Sequence, residues 1–259
     1  MSWNLQYDAP SGWRTQSLGP ITVHGSPDTS QAVFVGRGFY ARFDEVLAVV
    51  TTFAQTLGLQ TTGVVEAPTE GQIAGVRATT ASYVGFNAAG MPSQGRVVAL
   101  FTQHGTSLIF FGVSAPFAAR EVADVIARMA ASARVGAPVI DHSAVRALAG
   151  RWVTSDGRFN RSTTTTTNRG VESTLTLDGH GAFQYTSNSW FSMDVRRVSA
   201  GELPVDLGGA DSSQSTTDAG QYCVIGNEVV FRGTRGQLVV PYALQGNALT
   251  LGTTTYGRA

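Results

Sequence analysis

The sequence predicts an α+β unit, an antiparallel sheet with two helices, followed by a small antiparallel up-and-down β-barrel. Three observations predict it. The 259 residues fit two domains of ordinary size, each long enough to bury its own core. Helical periodicity occurs only before Gly150, and beyond it glycine-punctuated strand pairs repeat to the end. Residues 1–138 are read as the first domain, 139–147 as a linker and 148–259 as the barrel.

Trp3 to Gly12 reads as an extended arm ending in a Pro-Ser-Gly turn, and Ile21–His24 and Ala32–Val35 read as short strands between turn clusters. Val46, Val49, Val50, Phe53 and Leu57 recur at spacings of three and four, which predicts a helix over Phe43–Leu57 closed by Gly58. Strands are expected at Gln72–Ala81, Arg96–Gln103 and Thr106–Ser114, the last two joined by a His104-Gly105 hairpin turn. Val122, Val125, Ile126, Met129 and Ala133 form one face of a second helix over Phe117–Arg134, which should cover the sheet. A single helical turn is expected at Ser143–Leu148.

The second half is a meander. Thr174–Leu177 and Ala182–Thr186, Gln221–Ile225 and Glu228–Phe231, and Leu238–Leu244 and Ala248–Leu251 are hairpins whose tips tolerate positive φ. Ser162–Asn168, with five consecutive threonines, reads as an exposed edge strand, and Ser199–Gly220 as a loop too poor in apolar residues to order itself.

Acidic and basic residues balance at 18 each, and every basic residue is arginine. Absence of lysine is read as codon bias in a GC-rich bacterial genome. A neutral chain without basic runs lacks the footprint of nucleic-acid or anionic-membrane binding. No segment approaches the roughly 20 apolar residues of a membrane span, and no signal core opens the chain, so it is expected to be cytoplasmic or a processed envelope protein. The single cysteine cannot form an intrachain disulfide.

Gly150-Arg151-Trp152 opens the meander and Tyr256-Gly257-Arg258 ends it. This pattern, over Leu148 to Ala259, resembles the lipocalin-like (calycin) barrels. The resemblance implies that Trp152 lies across the barrel base, with Gly150 opening the strand and Arg258 packing over the indole to close one end. The first half resembles the PsbP/Mog1-like domains through Tyr7-Asp8-Ala9-Pro10-Ser11-Gly12-Trp13, the helix at Phe43–Leu57, the strand ending Leu108-Ile109-Phe110-Phe111-Gly112-Val113 and the helix ending Ala131-Ser132-Ala133-Arg134. Its relatives include accessory subunits of photosynthetic complexes, GTPase regulators and chaperones of secretion-system effectors. It implies a binding role and carries no catalytic residue across.

His24, His104, His142 and His180 are scattered, without metal-ligand spacing, so no metal or cofactor is expected. Cys223 reads as an inert strand thiol. Alternation turns Trp152, Phe183, Tyr185, Tyr222 and Tyr242 inward, where they either fill a packed core, the favoured reading for a small barrel, or line an apolar cavity. Trp190-Phe191, in a polar stretch, is either a protein-contact anchor or a strand end. With no triad, dyad or metal cluster legible, the leading expectation is a non-catalytic bacterial accessory or assembly subunit acting through protein contacts. The alternatives are a carrier of a small apolar ligand in the barrel and a chaperone of a secreted effector.

Overall fold

The computed structural model describes residues 3–18, 20–161, 165–197, 205–234 and 236–259, with backbone alone at 156–161, 165–168, 191–197 and 205–211. The chain divides into two compact units, Met1–Ile140 and Asp141–Ala259.

In the first unit, β1 (Leu5–Gln6), β2 (Arg14–Leu18), β3 (Ile21–Gly25) and β4 (Gln31–Gly38) precede α1 (Phe43–Thr56). Then come β5 (Gln60–Ile73), β6 (Val76–Phe86), β7 (Pro92–Phe101), β8 (Ser107–Ser114), α2 (Ala119–Ala131) and β9 (Arg134–Val135). Seven strands form one antiparallel sheet in the order β2-β3-β4-β8-β7-β6-β5, and β1 pairs separately with β9.

The helices occupy opposite faces. Val122, Val125, Ile126 and Met129 of α2 pack on Val33, Val98, Leu100 and Phe110, while Val46, Val50 and Ala54 of α1 pack on Val97, Ala99, Ile109 and Phe111. Burial on both faces explains why Val97–Phe101 and Leu108–Phe111 are unbroken apolar runs rather than alternating ones. Each fully buried aliphatic side chain here contributes roughly 1.5–3 kcal/mol. Glu45 starts α1 by accepting from the backbone N–H of Ala41 at 2.9 Å, and Gly58, at φ +73°, ends it where a Cβ would run into Ala88. Across the sheet, Gly112 lets α2 sit close, because a Cβ there would collide with Val122 and Ile126.

The amino-terminal arm is tied down by Tyr7, whose ring meets Phe110 edge-on and whose hydroxyl is 2.9 Å from His24 Nε2. Thr15 Oγ1 holds the other ring nitrogen at 2.9 Å. His24 is 1% exposed, and burial lowers its pKa from the ordinary 6.5.

The expectations for this unit need three corrections. The sheet contains two further strands, β2 and β5, both solvent-exposed along nearly their whole length and so without the apolar alternation that marks a strand. Gln72–Ala81 is not one strand: Ala74 and Gly75, both at positive φ, turn the chain between β5 and β6. The second helix begins later, after a 3₁₀ turn at Pro116–Ala118 that follows from the fixed φ of Pro116.

The second unit opens with α3 (His142–Leu148), so the segment read as linker belongs largely to the barrel unit; Val145 and Leu148 are buried in the barrel core. The strands are β10 (Gly150–Arg161), β11 (Thr165–Leu177), β12 (Ala182–Arg197), β13 (Val205–Ile225), β14 (Glu228–Gly233), β15 (Gly236–Gln245), β16 (Ala248–Leu251) and β17 (Thr254–Arg258). They close in chain order into an eight-stranded antiparallel barrel, with β17 back on β10. Beyond the barrel β10 to β13 run on as a ribbon: past Val153, β10 pairs only with β11, and residues 205–219 pair only with β12 among the described residues.

Two expectations change here as well. Residues 205–220, read as loop, form a strand in register with β12, held there by backbone pairing; 199–204 lie outside the described residues. Thr166–Asn168 is no edge, because β11 is flanked there by both β10 and β12; Ser162 to Thr164 lie outside the described residues.

Replacing Gly112 by Ala is expected to cost about 1–3 kcal/mol by wedging α2 off the sheet, measured by urea denaturation. His24, whose folded pKa is lowered, binds fewer protons folded than unfolded, so its contribution is complete above pH 6.5 and is lost as pH falls through its folded pKa. The urea midpoint should therefore drop on acidification below pH 6.5, and drop less in His24→Gln, as chemical denaturation across that range will show.

Candidate functional site

One end of the barrel is plugged. Trp152 on β10 is fully buried, and its indole N–H donates to the Leu148 carbonyl at 2.8 Å, tying the first strand to α3. Arg258 is its register partner on β17. The guanidinium carbon stands 4.7 Å from the indole centroid, and Nη2 donates to the carbonyls of Ala147 at 3.2 Å and Ala149 at 3.0 Å. These are carbonyls of a helix C-terminus that α3 itself cannot satisfy. Gly150, at φ +149°, lies beneath the guanidinium, with its Cβ position 3.4 Å from Arg258 Nε.

Tyr222 completes the plug from β13. Its hydroxyl donates to the carbonyls of Val145 at 2.9 Å and Asp178 at 2.6 Å, and burial together with the Asp178 charge pushes its pKa up to about 12. The phenol therefore stays a donor throughout the physiological range.

The other end is a cup of about 500 Å³. Leu175, Phe183, Phe231, Val240 and Leu251 make its apolar wall, with the Phe183 and Phe231 rings edge-to-face at 5.1 Å. Tyr185, Tyr256 and Thr254 add hydroxyls, and Asp218 adds a carboxylate that accepts from the backbone N–H of Thr234 at 2.8 Å. Tyr185 donates to Ser173 Oγ at 3.2 Å, and Ser173 in turn to Ser187 Oγ at 3.0 Å. At the lip, Leu238 is 56% exposed, an apolar side chain held in water.

The five rings picked out by alternation thus separate. Phe183 and Tyr185 line the cup, whereas Trp152 and Tyr222 belong to the plug. Tyr242 faces a different hollow, beside Ala144, Leu148 and Asn227 near α3. Leu175, Phe231, Val240, Leu251 and Tyr256 complete the inner side, on the face to which strand alternation and register from Phe183 and Tyr242 assign them.

Trp190 is 36% exposed and lies across Gly170, its register partner on β11, where any Cβ would collide with the ring. Covering a strand glycine with an aromatic ring is a sheet-stabilising device. Phe191 is paired with Arg169 in the ladder, and its side chain lies outside the described residues. Cys223 is half-buried, and burial pushes its thiol pKa up against the opposing effect of Arg232. His142 begins α3, and His104 and His180 occupy turns. Among the described residues no three His, Cys, Asp or Glu side chains are grouped as metal ligands, and no helix is long and apolar enough to cross a membrane.

No protein-family model and no curated relative matches the chain. Among solved structures it is similar to the cyanobacterial PsbP (CyanoP) of Synechocystis sp. PCC 6803, determined in solution, at 13% identity and a TM-score of 0.37. That match covers 52% of this chain and 94% of the other. The architecture described above rests on its own sheet order and helix packing.

Arg258→Ala should destabilise the barrel by about 1–3 kcal/mol, having lost a cation–π contact and two charge-assisted hydrogen bonds. Arg258→Lys should restore little, because an ammonium cannot stack and bridge two carbonyls at once. Trp152→Ala should cost about 3–5 kcal/mol. Thermal denaturation of the three variants orders them.

Proposed function

We propose that this chain is a non-catalytic binding protein whose barrel takes a small, largely apolar ligand in its open cup. The observation that carries the reading is the cavity of about 500 Å³ with an aliphatic and aromatic wall, open at the end opposite the Trp152 plug. Ligand pockets fall between roughly 300 and 1,000 Å³ and combine such a wall with a few polar groups that fix orientation. Here those groups are the Tyr185, Tyr256 and Thr254 hydroxyls, with the Asp218 carboxylate and the Gln237 amide also on the lining. The carrier role, an alternative on sequence grounds, is thus favoured over a barrel filled with side chains.

Within this reading the barrel is calycin-like, supported by the strand order and by the stacking of Arg258 on Trp152. The first unit is PsbP/Mog1-like, supported by a helix on each face of its antiparallel sheet. The bacterial accessory-subunit reading gains less: the exposed ring proposed as an anchor, Trp190, already has a task in covering Gly170. Nothing in the geometry singles out a secreted effector as cargo.

The neutral fluorophore N-phenyl-1-naphthylamine should bind the intact protein in a saturable, one-to-one manner with enhanced emission. Val240→Trp, which fills the cup, should abolish the enhancement while leaving the circular dichroism spectrum intact. Absence of saturable binding to the wild-type protein would remove the ligand-carrier reading.

A further inference from the structure

The phenols inside the barrel differ in what their hydrogens do. Tyr222 donates to two carbonyls of the plug, and Tyr185 donates to Ser173 Oγ at 3.2 Å. Tyr256 is only 8% exposed, yet its hydroxyl has no hydrogen-bond partner in the protein. Burial, and then the neighbouring Tyr185, raise its pKa above the ordinary 10.0, so at neutral pH it is a protonated donor. A hydroxyl set so deep is normally bonded, and one left over on the wall of a cavity needs a reason.

Its position on β17 supplies one. Alternation puts Arg258, Tyr256 and Thr254 on the inner side of that strand, Arg258 over Trp152 in the plug and Thr254 on the lining of the cup. Tyr256 therefore stands between plug and lip, beside its fully buried register partner Leu249 and within the buried cluster that holds Leu175, Phe183 and Phe231. In the empty cup the hydroxyl is open to water. A pure hydrocarbon filling the cup would strip that water away and offer no acceptor in its place, at the cost of a buried, unpaired donor.

We infer that the cup selects a neutral, largely apolar ligand carrying an oxygen acceptor, such as a ketone, ester or ether, which accepts from the Tyr256 hydroxyl deep in the barrel; the inference rests on the carrier reading above. Tyr185 cannot take this role without giving up Ser173, since its one hydrogen is already committed. An ammonium has no acceptor to offer Tyr256. A carboxylate would bring a second negative charge to a wall that already holds Asp218, whose Oδ1 accepts from the backbone N–H groups of Ala219 and Thr234 and from the Thr234 hydroxyl.

The test uses the full chain and two neutral naphthalenes of the same shape: 1-acetylnaphthalene, and 1-isopropenylnaphthalene, in which a methylene group replaces the carbonyl oxygen. Each is titrated against bound N-phenyl-1-naphthylamine, with the wild-type protein and with Tyr256→Phe. The ratio of ketone to hydrocarbon affinity should fall about tenfold in the variant, a comparison in which the different hydration of the two compounds cancels. A merely structural role for Tyr256 would weaken both compounds together and leave the ratio unchanged. A second measurement needs no variant. The carbonyl ¹³C resonance of labelled 1-acetylnaphthalene bound to the wild-type protein should lie near its position in an alcohol, as on accepting a hydrogen bond. An unchanged affinity ratio, or a bound resonance at the position found in hexane, overturns the inference while the carrier reading stands. Tighter binding of 1-naphthoate than of the ketone overturns it as well. If the fluorophore itself does not bind, the carrier reading falls and this inference falls with it.

Discussion

The barrel depends on a seam only two residue pairs long. Trp152 faces Arg258 and Val153 faces Gly257, and without those pairs the eight strands would be an open, strongly twisted sheet with two unsatisfied edges. A seam so short cannot be held by backbone hydrogen bonds alone. Its reinforcement comes from one arginine side chain that stacks on the indole and donates to two carbonyls at the end of α3. The same contacts hold α3 across the base, so closure and plugging are a single physical event.

That event sets what the unit can do. Plugging one end commits the buried aromatic mass of Trp152 and Tyr222 to structure, and the barrel's free interior is pushed to the other end. There the wall is aliphatic and aromatic, and the lip carries an exposed leucine.

The legible parts of the sequence are those where burial writes a period. α2 carries its buried face at spacings of three and four, whereas α1 buries Val46, Val50 and Ala54 at spacings of four and leaves Val49 and Leu57, counted on the same face in the sequence, exposed; the hairpin tips at Gly226-Asn227 and Gly246-Asn247 coincide with glycines at positive φ. β2, β5 and residues 212–217 of β13 left no such trace, because they are held by ladder hydrogen bonds with their side chains largely facing solvent. The same limit applies to the site. Alternation states which face of a strand a ring occupies but not its height along the barrel axis, so Trp152, Tyr222 and Phe183 look equivalent in sequence although two plug the base and one lines the cup.

The central claim, that β17 returns to β10, is most directly tested by amide hydrogen exchange at Val153 and Gly257. The Ala259 N–H donates to the Arg151 carbonyl, so by the alternation of an antiparallel ladder Val153 and Gly257 exchange both of their hydrogen bonds across the seam. Val153 therefore has no ladder bond to β11 through which to be protected. Closure predicts that both amides exchange as slowly as those of the β11–β12 core, at the rate of global unfolding. Exchange of Val153 and Gly257 at free-peptide rates, with β11 and β12 still protected, would show an open sheet and contradict the account.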